Sequence, residues 1–155
     1  MLLRLILQSL LLLVMAGVAG FLVWRYHPER PELYLTRESA APGEITVLEA
    51  RERQAAGPVI WVDARREQEF AAGHIPGALL LNEYDWDNLL FEAFPVITDA
   101  AEGVPVIIYC DGQECAASRT VRERLQQTPV GDRELLILRG GWPAWQSMES
   151  GPPGG

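Results

Sequence analysis

The chain has two cysteines, Cys110 and Cys115, both in the stretch YCDGQECAAS from Tyr109 to Ser118. A Cys-x4-Cys pair can be a nucleophile with a neighbour, a disulfide, half of a metal site, or ordinary packed core. A reactive cysteine needs a lowered pKa, and the amides and dipole at a helix N-terminus supply it. Metal chemistry is poorly served. Zinc asks for three or four ligands, and the two histidines, His27 and His74, have no spacing that joins them to these thiols. The chain contains no lysine, which excludes Schiff-base catalysis. Two cysteines are also too few for a disulfide framework, so the fold must rest on an ordinary apolar core.

The elements around the pair decide which chemistry is served. VPVIIYC, residues 104–110, is apolar on both faces, as a central parallel strand is. AASRTVRERLQQ, residues 116–127, sets Ala117, Val121 and Leu125 at helical spacing, with three arginines expected to face away. Cys110 is therefore expected at the carboxyl end of a central strand, just before a helix, where open α/β sheets bind their ligands. Gly112 allows a tight loop of inward N–H groups that suit an anion or a terminal sulfur. From position alone, a nucleophile and a small buried hydrophobe remain even alternatives for Cys110.

The rest of the soluble part alternates strands and helices. Thr46 and Glu49 form a T-x-x-E capping box that predicts a helix over 47–56 ending at Gly57, with Ile45 as a short edge strand before it. PVIWVDA reads as a strand ending at Asp63, and RREQEFAAG as a short helix stopped by Gly73. HIPG is a turn and ALLLN a buried strand. YDWDNLLFEAF sets Trp86, Leu89, Leu90 and Phe94 on one helical face, with Pro95 expected to end it. RELLILRGG is the last strand and WPAWQSMES the last helix, with Trp142 and Trp145 packing it on the sheet. The alternation predicts an α/β fold with a parallel sheet covered on both faces.

The N-terminus is of another kind. From Leu5 to Trp24 runs a twenty-residue apolar stretch, about 30 Å as a helix and long enough to span a bilayer. Gly17–Ala19 offers a small-x-small cleavage site, but the apolar run continues past it and ends at the interfacial aromatics Trp24 and Tyr26. The expected division is an anchor or uncleaved signal at 1–25, a linker at 26–44, a domain at 45–148 and a disordered tail at 149–155. Flanking arginines slightly favour a cytoplasmic domain. The short N-terminus before a long apolar run favours export, and the reading leans to the non-cytoplasmic face of the membrane. After the anchor stand 12 arginines against 21 acids, a surface unsuited to nucleic acid or anionic lipid.

VDARREQEFAAGHIPGA, from Val62 to Ala78, resembles the N-terminal signature of the rhodanese-like family, with D-x-R, an acid and aromatic, then G-H-I-P-G-A. GGWPAW, Gly140 to Trp145, resembles its C-terminal signature, and IIYC its cysteine strand. The resemblance covers Ile45 to Met148. It implies a five-stranded parallel sheet flanked by helices, and sulfurtransferase chemistry without a cofactor. Cys110 would take sulfur from a donor as a persulfide and hand it to a thiol acceptor, small or protein, with ping-pong kinetics. The loop of Asp111, Gly112, Gln113, Glu114 and Ala116 would cradle the substrate. Asp63 and Arg65 would fix loops nearby, Arg65 alternatively reaching an anionic substrate. His74, in the turn, is read as structural.

This loop departs from the family pattern. Ser118 lies eight residues after Cys110, a spacing longer by about two, and Asp111 and Glu114 flank the cysteine with no arginine before Arg119. Acids there oppose a thiolate and a dianionic donor such as thiosulfate. A cysteine phosphatase would need an arginine where Ala116 stands. Cys115 has three readings: a packed helix-start residue, a resolving thiol that forms a disulfide with Cys110, or the sulfur carrier itself. A thiol–disulfide redox protein and a catalytically silent binding module are the alternative functions.

Overall fold

The computed structural model describes residues 41–112 and 116–150, together with Arg4, Gln8, Leu10, Val14, Met15, Ala16 and Val18, which are helical. The chain divides into two compact units, Met1–Leu35 and Thr36–Gly155. No helix among the described residues is long and apolar enough to cross a membrane. Most of the apolar stretch 5–24, the linker before residue 41 and the tail from 151 lie outside the described residues.

The second unit runs β1 (Glu44–Ile45), α1 (Val47–Ala56), β2 (Ile60–Asp63), α2 (Glu67–Ala72), β3 (Leu79–Leu80), α3 (Trp86–Asp99), β4 (Val106–Tyr109), α4 (Ala116–Gln126), β5 (Leu135–Leu138) and α5 (Gly141–Glu149). The five strands form one sheet in the order β1-β5-β4-β2-β3, every pair parallel. β4 is the middle strand, and all four of its residues are buried, as its unbroken apolar run demands.

Alternation along β4 sorts the core into two layers. Val106, Ile108 and Cys110 join Ile60 and Val62 of β2, Ala93 and Ile97 of α3, and Val121 and Leu125 of α4. The intervening residues meet an aromatic layer instead, where Trp61 lies edge-on to Tyr109 at 6.4 Å and to Trp145 of α5 at 5.0 Å. Each aliphatic side chain buried this fully contributes about 1.5–3 kcal/mol.

Local signals set the element ends. Thr46 Oγ1 accepts from the Glu49 amide at 3.2 Å, and Glu49 Oε2 accepts from the Thr46 amide at 3.0 Å, which closes the expected capping box of α1. Gly57 ends α1 and Gly73 ends α2, each donating its N–H back into the helix.

Three expectations need correction. α3 does not stop at Pro95 but continues to Asp99. Pro95 lies on the exposed side of the helix, while Ile97 beyond it is fully buried and holds the last turn to the core. β3 is a two-residue, half-buried edge strand rather than a fully buried one. The arginines of α4 do not all point away. Arg122 donates to the Gly43 carbonyl at 3.2 Å, and Arg124 lies over the Trp86 ring at 5.2 Å.

Candidate functional site

Cys110 is the first residue past β4 and is 2% exposed. Its carbonyl accepts the Trp142 amide at 2.7 Å, so the start of α5 holds the cysteine's own backbone. That approach depends on glycine. Gly141 has φ +55°, and a Cβ there would overlap the Cys110 carbonyl oxygen. The GGW of the C-terminal signature is thus a backbone clamp on the cysteine. The Cys110 sulfur is 3.7 Å from the Gly112 carbonyl oxygen and is disulfide-bonded. Ala116, expected in the loop, instead opens α4, at the end of that helix where the dipole is positive. Gln113 and Glu114, expected in the substrate loop, and Cys115, the second thiol, lie outside the described residues.

Asp63 and Arg65 come together at the carboxyl end of β2. Asp63 is fully buried, and its carboxylate accepts from the Arg65 amide at 2.9 Å, from Nε at 3.0 Å and from Nη2 at 2.6 Å. Nη2 also donates to the Gly73 carbonyl at 2.7 Å. The guanidinium lies 4.8 Å from the Trp142 ring and 5.6 Å from the Tyr109 ring. Burial opposes its charge, but the hydrogen bonds and charge of Asp63 outweigh burial and raise its pKa. Two of its donors are committed to protein acceptors, which favours the loop-fixing role over direct capture of an anion. Asn82 extends the frame by donating to the Arg65 carbonyl at 3.0 Å.

Asp111 is the loop residue nearest this frame, with Oδ1 3.6 Å from Arg65 Nη1 and a half-exposed side chain. Its pKa is raised, first by burial and then by the charge of Glu69, with Arg65 opposing. Two carboxyls therefore meet beside the cysteine, one from the loop and one from α2. Glu69 was not singled out from sequence, because its arrival depends on how α2 crosses the sheet edge. Tyr109 was missed as well. Its hydroxyl accepts the Ile75 amide at 3.1 Å and fastens the HIPG turn to the cysteine strand. Burial, then the charge of Asp63, drives its pKa well above the ordinary phenol value. A strand-final tyrosine before the cysteine was the available signal.

His74 is turned to its own helix, stacked on Phe70 at 3.8 Å with Nδ1 2.9 Å from the Phe70 carbonyl, in keeping with a structural role. Trp145 packs α5 on the sheet as expected, whereas Trp142 packs against Arg65 and Tyr109 at the site itself. Among the described residues no group of three His, Cys, Asp or Glu side chains could hold a metal ion.

Structural comparison places this arrangement among known folds. The BH2092 protein from Bacillus halodurans is 22% identical, with 70% of this chain and 73% of that one covered at a TM-score of 0.52. The human single-domain sulfurtransferase TSTD1 is 18% identical, with 73% of this chain and all of that one covered (100%) at a TM-score of 0.51. At those identities the likeness is one of fold. The sequence itself matches the model of the rhodanese-like domain over residues 46–148, from the α1 cap to the last helix. That span holds the five-stranded parallel sheet, the Asp63–Arg65 frame and the clamped cysteine, and the chain belongs to the rhodanese-like domain family.

Proposed function

We propose that this protein is a sulfurtransferase that carries sulfane sulfur as a persulfide on Cys110. The observation that carries the reading is the position of Cys110 at the carboxyl end of the middle strand, clamped through its carbonyl by the start of α5. The family membership and the sulfurtransferase named among its structural relatives support it. The Cys110 thiolate attacks the outer sulfur of a donor. A new S–S bond forms, the donor's S–S bond breaks, and the leaving group departs with the electron pair as a thiolate or sulfite. An acceptor thiolate then attacks the outer sulfur and releases the Cys110 thiolate, so each half-reaction balances without an added redox agent.

Asp111 and Glu69 beside the cysteine disfavour a dianionic donor. A persulfide or polysulfide donor, small or protein-bound, suits the site better than thiosulfate. The disulfide state of Cys110 supports a second, redox reading in which transfer is silent until a dithiol reductant opens the bond. Residues 5–24 would tether the domain to a bacterial inner membrane, with the domain on the periplasmic side.

Mass spectrometry of the reduced chain after exposure to polysulfide tests the chemistry. Wild type gains the mass of one sulfur atom, Cys110→Ser gains none, and Cys115→Ser keeps at least part. A wild type that never gains sulfur removes the sulfurtransferase reading.

A further inference from the structure

Ser118 is fully buried, and its hydroxyl has no hydrogen-bond partner. A buried hydroxyl left unpaired is costly, and native structures keep few of them. Ser118 is the first of the three buried residues of α4, ahead of Val121 and Leu125. Those two pack into the layer that Val106, Ile108 and Cys110 enter from β4. α4 follows the loop that leaves β4 at Cys110, so Ser118 sits at the end of the stripe level with the sheet's carboxyl edge. Ser118 thus shares the helix face that packs toward the layer holding Cys110. Trp61 Nε1 and Trp145 Nε1 are also unpaired, but they belong to the aromatic layer on the opposite face.

A disulfide sulfur is a weak acceptor, whereas a thiolate or persulfide anion is a strong one. We propose that the Ser118 hydroxyl donates a hydrogen bond to the Cys110 sulfur when that sulfur is an anion, as thiolate or persulfide. The serine moves no proton and forms no covalent bond. It pairs with a charge that exists only after the disulfide is reduced, and this explains why it stands unpaired here. The inference rests on Cys110 being the reacting thiol.

The test uses the full-length, reduced chain carrying Cys115→Ser, so that one thiol remains. The rate of Cys110 alkylation by iodoacetamide is followed against pH with Ser118, Ser118→Ala and Ser118→Thr. The other charged and titratable groups around the cysteine, Asp63 and Arg65 from β2, Glu69 from α2, Tyr109 and Asp111, stay in place in every variant. Ser118→Ala raises the midpoint of the alkylation profile by about one unit. Ser118→Thr returns the midpoint toward that of serine. An alanine midpoint that coincides with the serine midpoint overturns the inference. A shifted midpoint in a chain that never takes up sulfur keeps the hydrogen bond and removes the sulfurtransferase reading. Normal sulfur loading with an unshifted midpoint does the reverse.

Discussion

At the scale of single residues, the charge beside the cysteine sets what the site accepts. Burial and Glu69 raise the Asp111 pKa, so its carboxylate forms later in a pH rise than an ordinary aspartate would. Once formed, it repels a dianionic donor. Turnover of thiosulfate by Asp111→Asn therefore exceeds that of wild type at neutral pH by several-fold, and the ratio of the two falls toward one as pH drops and wild-type Asp111 protonates. Steady-state rates across a pH series would show it. The linkage has the matching sign. A carboxyl whose folded pKa is raised penalises the folded state above that pKa, so Asp111→Asn is the more stable protein at neutral pH and loses its advantage in acid. Asp111 was legible in the sequence as an acid next to Cys110. Its partner Glu69 was not, since nothing in their spacing brings α2 to the loop. Ser118 was legible only as a displaced family residue, and its burial without a partner is known from packing alone.

At the scale of elements, α5 does more than cover the sheet. Gly140 and Gly141 both have positive φ, which lets the first amides of α5 approach Cys110. Gly141→Ala must push the Cys110 carbonyl away and lose the Trp142 hydrogen bond. We expect it to cost about 1–3 kcal/mol in urea denaturation and to abolish sulfur loading even where the protein remains folded. The signature residues that carry this clamp were readable, but the partner atom was not, because a backbone carbonyl leaves no mark in a sequence. α3 gives the opposite lesson. Reading Pro95 as a stop signal applied a local rule, and the buried Ile97 two residues later overrode it. Pro95→Ala restores an amide to that helix and stabilises the domain by about 1–3 kcal/mol, visible as a higher thermal midpoint.

At the scale of the whole molecule, the alternation of strands with helices made the parallel sheet readable, and β4 announced itself as the middle strand by being apolar on both faces. The two-residue edge strands carried too short a pattern to rank by burial, and β3 was placed too deep. The compartment is the largest determinant of the cysteine's state, because an oxidising one preserves a disulfide and a reducing one opens it. A carboxyl-terminal fusion of the full chain to a phosphatase that works only outside the cytoplasm is expected to be active. An inactive fusion, paired with a fluorescent cytoplasmic reporter that lights up, places the domain on the other side.

The pairing of β1 with β5 joins Glu44 to Ile137, so the first strand of the sheet has no neighbour until the last has been made. Until β5 is made the sheet keeps an open edge, and the pairing that completes it closes the longest loop between paired strands. The clamp on Cys110 comes later still, with Trp142. A chain interrupted before Trp142 therefore lacks both the closing pair of the sheet and the clamp on its cysteine.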